Sequence, residues 1–175
     1  MEKRTFRNCR FYRSGDVLFT DMEVFKGQGN DTYLASVMDL YDRKIIGWAY
    51  GKNITSELAT QAVKNACLNI PDTTGIVLHS DLGSQYTSEE FEKYLQDQGM
   101  LHSFSRKGNP YDNTCIESFH SVLKKEEVYT TTYYTFEESK SALFEYIESF
   151  YNRKRRHNAL DYKTPQQVED EALAA

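Results

Sequence analysis

A chain of 175 residues, 39% hydrophobic and 14% aromatic, can fill one core and leaves little for a second full domain. No apolar run approaches the ~20 residues of a membrane span, and the opening MEKRTFRNCRFYRSGD lacks both the apolar centre and the cleavage site of a signal peptide, so a soluble, cytoplasmic protein is expected. The net charge of -5 and isoelectric point near 5.4 exclude bulk attraction to nucleic acid, and any such role must come from a local patch or a bound cation. Cys9, Cys67 and Cys115 are odd in number and contain no CxxC pair, and they read as free thiols.

Residues 1–15 are polar, basic and aperiodic, and read as a leader or linker. VLFTDMEVF then alternates, with Phe19, Asp21 and Glu23 on one face and Leu18, Thr20, Met22 and Val24 on the other, which predicts a strand. GQGND is a turn, and TYLASVMDLY and IIGWAY, joined by DRK, complete a three-stranded antiparallel meander. In TSELATQAVKNACLNIP the apolar residues Leu58, Ala59, Ala62, Val63, Ala66, Cys67 and Ile70 recur at helical spacing, with Thr55 as N-cap and Pro71 as stop. GIVLHS predicts a fourth strand. TSEEFEKYLQDQG predicts a helix with a Thr87/Glu90 capping box and Gly99 at its end, and LHSFS a fifth strand. After the loop RKGNPYD, the helix NTCIESFHSVLKKEE turns Ile116, Phe119 and Leu123 to one face. A Thr135/Glu138 capping box opens a long helix with Leu143, Phe144, Ile147, Phe150 and Tyr151 inward. A last helix starts at Thr164-Pro165, and residues 169–175 are expected as a tail. A meander followed by alternating helices and strands makes an α/β protein, a mixed five-stranded sheet with helices on both faces. This element order is that of a ribonuclease-H-like sheet, although order alone permits other layouts.

Three acids stand at telling positions. Asp21 lies within a strand expected to be buried, an unfavourable place for a lone carboxylate. Asp81 follows the end of another strand, where open α/β sheets form their crevices. Glu117 shares a narrow polar stripe with Asn113, His120 and Lys124, beside the apolar one. Oxygen ligands of this kind suit Mg²⁺, with Mn²⁺ as substitute, whereas zinc prefers histidine or thiolate. A pair of such ions serves phosphoryl transfer. Taken singly, each acid also fits a structural role: a buried ion pair for Asp21, a turn for Asp81, an ordinary helix surface for Glu117.

The spacing decides between these readings. Asp81 and Glu117 leave 35 residues between them, 82 to 116, and the words HSDLGSQYTS, SFSRKGNPYDNTCIESFHSVLKKE and YNRKRRHNALDYKTP resemble the catalytic domain of bacterial insertion-sequence transposases. They are similar to the retroviral-integrase-like family with a D, D, 35-residue-gap, E signature, expressed from two overlapping reading frames. TDMEVF and TYLASVMDLYDRKIIGW resemble that family's first three strands, and the similarity runs from roughly Asp16 to Val168, the expected catalytic core.

The resemblance implies a ribonuclease-H-like transposase that cuts and joins DNA, with Asp21, Asp81 and Glu117 as catalytic and metal-binding triad for two Mg²⁺ or Mn²⁺ ions. It implies DNA partners, namely element ends and target DNA, and a homo-oligomer assembled on them. Lys124 matches a basic position that approaches the DNA end, although an ordinary ion-paired helix lysine also fits. Gly108 and Asn113, in the loop GNPYDN, and Arg153, Arg155 and Arg156, in the one dense basic run, are candidate DNA contacts. A helix N-cap and a solvated helix end explain these as well. His79 reads as packing under the strand end, with His120 undecided. Asp39 reads as structural, and Ser84, Gln85 and Tyr86 as DNA contacts or helix caps. The chain departs from the family at Glu23, where threonine is usual, and at Leu82, where arginine or glutamine is common. No helix-turn-helix region precedes Asp16, so an isolated catalytic domain is expected. A plain Mg²⁺ nuclease of the same fold, or a silent DNA-binding or assembly module, are the rival readings.

Overall fold

A computed structural model describes residues 16–25, 31–105 and 113–174. Strands β1 (Val17–Phe25), β2 (Thr32–Asp39) and β3 (Ile45–Gly51) form the expected antiparallel meander. Strand β4 (Val77–Ser80) lies parallel to β1 on its other side, and β5 (Leu101–Phe104) lies parallel to β4, giving the order β3-β2-β1-β4-β5. The central strand is therefore β1. Its side chains alternate between two apolar layers, as the period of a strand requires.

Leu18, Ala35, Val37, Ala49 and Leu78 face helix α1 (Ser56–Cys67) and helix α2 (Glu89–Asp97). Phe19, Leu34, Met38 and Ile45 face helix α3 (Thr114–Leu123) and helix α4 (Phe136–Phe144). Burial of large side chains such as Phe91 and Phe119 contributes about 1.5–3 kcal/mol each, and both are almost wholly enclosed. Helix α5 (Pro165–Ala174) starts where the last helix is expected and runs on through 169–174, and its Glu169 pairs with Lys44. Among the described residues, no helix is long and apolar enough to cross a membrane.

Local signals explain most boundaries. The Thr55 hydroxyl accepts from Leu58 N–H at 3.2 Å to open α1. Thr135 and Glu138 form the expected capping box at α4. Gly99 takes a left-handed φ of 68° just past α2, a conformation open to glycine at little cost.

Two expectations are corrected. Ser88, not Thr87, caps α2, its hydroxyl accepting from Phe91 N–H at 3.3 Å. Thr87 is turned back instead, its N–H bonded to the Gly83 carbonyl at 3.1 Å, so it closes the preceding turn. The second correction concerns α4, which continues as a π-helical segment, Glu145–Tyr151. The wide turn keeps Leu143, Ile147 and Tyr151 in line at a spacing of four, with Tyr146 beside them. Phe144 and Phe150 are left 56% and 40% exposed rather than inward.

Candidate active site

Asp21 and Asp81 stand at the same level of adjacent strands, Asp21 midway along β1 and Asp81 just past the end of β4. The parallel ladder pairs Val17 with Val77, Leu18 with Leu78 and Phe19 with His79, and each aspartate lies two residues beyond the last pair. Adjacent strands are ~4.8 Å apart, so the two carboxylates start from neighbouring backbone. Asp21 Oδ1 accepts from Met22 N–H at 2.8 Å. The Asp81 Oδ1 atom accepts from Gly83 N–H at 2.8 Å, a turn that carries the chain sharply off β4. Burial pushes the Asp81 carboxyl above its ordinary range, the Gly83 bond opposes this, and the charge of Asp21 adds to it.

Glu117 comes from the first turn of α3, which packs across β1. Its carboxyl is also raised, first by desolvation, then by Asp21, with Glu23 adding and His120 opposing. Asp21 is thus the shared neighbour of both other acids. Tyr86, buried below them, feels Asp21 and Asp81 in the same way once burial has raised its hydroxyl. As they stand, no group of three or more His, Cys, Asp or Glu side chains among the described residues is close enough to hold a metal ion. The donor chemistry is nonetheless all carboxylate oxygen. Burial first, and the charge of Asp21 after it, hold the Asp81 and Glu117 carboxyls up, a setting that a hard divalent cation would relieve.

Two polar links escaped the sequence reading. Ser36 lies directly opposite Asp21 in the antiparallel register, and its hydroxyl meets His120 Nε2 at 3.1 Å. The buried His120 ring presents Nδ1 to Asp21 Oδ2 at 3.7 Å. A histidine three residues after Glu117 was visible in the polar stripe, but its partner required the β1–β2 register. The second link joins three elements: Glu92 of α2 meets His102 Nδ1 at 2.7 Å, and His102 Nε2 meets the Ser80 hydroxyl at 2.9 Å. Ser80 in turn donates to the Asp81 carbonyl at 2.8 Å, which fixes the backbone that carries the acid. No spacing rule marks Glu92 and His102 as partners of a strand end. His79 packs against Phe19, ring centroids 5.1 Å apart, with its two nitrogens at 3.1 Å from Ser103 and Ser105 hydroxyls, as the packing role expected.

The proposed DNA contacts are dispersed. Lys124 Nζ is ion-paired with Glu23 Oε2 at 3.1 Å. Asn113 is buried immediately before α3, makes no side-chain cap and has an unpartnered Oδ1. Gly108 lies outside the described residues. Arg155 is clamped on Glu126 through Nε and Nη2 at 2.9–3.1 Å, while Arg153 and Arg156 are exposed. The run begins after Asn152, whose amide brackets Ile45 N–H and carbonyl at 3.0 and 2.9 Å, at the β3 end paired with Met38 rather than with the Asp21 level. Tyr86 is fully buried against Phe91 and is no surface contact. Asp39 accepts from Tyr41 N–H at 2.9 Å in the β2–β3 turn, a structural place. Leu82 is 55% exposed.

A family model described as Integrase core domain matches residues 12–110, and a second of the same description matches 98–165. The chain belongs to the integrase core domain family. This integrase core domain is 39% identical over 149 residues to the transposase for insertion sequence element IS904 of Lactococcus lactis, covering 85% of the chain and 59% of that protein. It is 37% identical over 142 residues to transposase InsF for insertion sequence IS3A of Escherichia coli, covering 81% of the chain and 49% of that protein. The domain therefore spans less than two thirds of these relatives.

Among solved structures, the domain superposes on a chain of the simian T-cell lymphotropic virus intasome in complex with PP2A regulatory subunit B56 gamma, with a TM-score of 0.74 at 18% identity, covering 90% of this chain and 55% of that one. The dimeric form of the HTLV-2 integrase catalytic core domain in complex with magnesium gives 0.66 at 15% identity, covering 90% and 97%. At these identities the likeness concerns the fold, and the integrase core domain here has the expected ribonuclease-H-like fold.

Proposed function

We propose that this integrase core domain is the catalytic part of a DDE transposase, a metal-dependent polynucleotidyl transferase that cleaves and joins DNA strands. The observation that carries this reading is geometric: Asp21 and Asp81 stand at one level of adjacent parallel strands, two residues beyond their last paired positions, and helix α3, which carries Glu117, packs across β1, in a chain related by sequence to insertion-sequence transposases. Asp21, Asp81 and Glu117 would hold Mg²⁺, with Mn²⁺ as substitute, in a two-ion arrangement. Bound there, divalent cations supply activation of an attacking oxygen and stabilisation of a leaving one. The chain's own part is positioning: the Ser36 hydroxyl orients the His120 ring beside Asp21, and the Glu92–His102–Ser80 link holds the Asp81 backbone. Lys124, Asn113, Gly108, Arg153, Arg155 and Arg156 are the proposed contacts to DNA, the element ends and the target. The intasome named among the structural neighbours supports a homo-oligomer on DNA. Action on DNA supports a cytoplasmic location.

The test is a strand-transfer reaction on a pre-cut, end-labelled DNA with Mn²⁺. Joined products support the transferase, shortened products alone point to a nuclease of the same fold, and an unchanged label with folded protein points to a silent binding module. Asp21→Asn, Asp81→Asn and Glu117→Gln are each expected to lower strand transfer by more than the about 10–100-fold typical of an outer-sphere partner. Full activity in any of the three overturns its assignment.

A further inference from the structure

Asp21 and Glu23 are two apart on β1 and so share a face, and Glu117 and Lys124 are two helical turns apart on α3 and its π-helical continuation, Lys124–Val128. The two elements run side by side, which makes a ladder with Asp21 facing Glu117 and His120, and Glu23 facing Lys124. The second rung is closed. Glu23 Oε2 lies 3.1 Å from Lys124 Nζ, and the two side chains are only 23% and 26% exposed. The other oxygen of Glu23, Oε1, accepts from Val24 N–H at 3.2 Å, so the carboxylate is oriented by its own strand. A lysine presented beside the candidate acids is thus already neutralised from within.

We propose that Glu23 is an electrostatic gate on the DNA-binding surface, holding Lys124 in the free protein so that a DNA phosphate reaches the lysine only by displacing the Glu23 carboxylate. This rests on the reading that the α3–β1 surface takes DNA. The physical basis is exchange. A phosphodiester and a carboxylate each carry one negative charge, so swapping one for the other at Lys124 gains little, and the displaced carboxylate remains close enough to repel the incoming strand. Partial burial makes this repulsion stronger than between exposed charges. Glu23 acts through Lys124 and touches no reacting atom. It is a residue that sets affinity, and it selects for DNA that brings other contacts sufficient to complete the exchange.

The test is fluorescence anisotropy of the full 175-residue chain with a short labelled duplex of mixed sequence, without added divalent cation, over a series of salt concentrations. Glu23→Gln is expected to tighten binding about five- to tenfold at low salt. The slope of log affinity against log salt should steepen by about 0.7–0.9, one further phosphate contact. In a Lys124→Gln background the same change should alter affinity less than about twofold, because distant or uncoupled groups add and coupled ones do not. Glu23→Thr serves as a second uncharged variant, with the circular dichroism melt of each protein recorded. If the wild type binds and both Glu23 variants bind equally well, or tighten equally with Lys124→Gln, the gate is overturned while the functional reading stands. If neither the wild type nor the Glu23 variants bind DNA, both are overturned.

Discussion

The two faces of the sheet are built differently. Under α1 the sheet is closed by small residues, Ala35, Ala49, Ala59, Ala62 and Ala66, with Gly47 so close to the helix that an added Cβ would lie 2.4 Å from Ala66 N and 2.5 Å from Ala62 O. The face under α3 and α4 is filled by Phe19, Phe119, Tyr146 and Tyr151, and its layer admits polar groups at Ser36, His79 and His120. Every candidate acid carried by β1 or α3 projects on this second face or its rim. The difference teaches where chemistry is tolerated. Where the Gly47 backbone meets α1, the packing leaves no room for a polar side chain and its partner, whereas bulky aromatic packing leaves edges at which a carboxylate reaches the surface while its backbone stays rigid.

Two perturbations separate the faces. The largest is Phe119→Ala, which opens a cavity behind His120, the rings being 5.2 Å apart. It is expected to cost about 3–5 kcal/mol in urea unfolding and to lower strand transfer per folded molecule, because it loosens the residue beside Asp21. Next comes Gly47→Ala on the opposite face. Overpacking against the α1 backbone is expected to cost about 1–3 kcal/mol and to leave strand transfer per folded molecule unchanged. Equal activity losses in the two variants would erase the distinction between the faces.

The smallest expected effect is a slope with pH. Asp42, buried in the β2–β3 turn, has its carboxyl pushed up to about 7, first by burial and then by Asp39. The unfolded carboxyl titrates near about 3.9, so between these values the folded chain binds more protons and stability falls as pH rises toward 7. His157 works in the opposite sense. Burial lowers its imidazole to about 4, so the folded chain binds fewer protons than the unfolded one up to about 6.5, and stability rises with pH there. The wild-type profile is therefore partly flattened. Asp42→Asn should remove one limb, and its unfolding free energy should rise more steeply than that of the wild type between pH about 4 and 7. Parallel profiles would show that Asp42 is not the group responsible.

Much of the fold was legible because local signals and global pattern agree. The alternation in VLFTDMEVF, the Thr55 cap, the Thr135/Glu138 box and Gly99 are each short-range devices whose physics involves only a few neighbouring residues. Where the reading failed, a neighbour competed. Thr87 had the right spacing for a cap, but the Gly83 carbonyl claimed it. Phe144 and Phe150 fit an ideal helical stripe, but the π-helical segment changed the period.

The sequence by itself determined the element order, the two-residue alternation of β1 and the spacing of the three acids along the chain, because periodicity and chain distance are one-dimensional properties. Only the tertiary structure decided that Asp21 and Asp81 stand at one level of adjacent parallel strands, that Ser36 and His120 stand beside Asp21, and that Glu23 holds Lys124. Those relations depend on strand register and on the path of α3 over β1, and they join distant residues, Ser36 and His120 being 84 positions apart along the chain. Contacts of that range are set by packing of the whole core, not by any local preference.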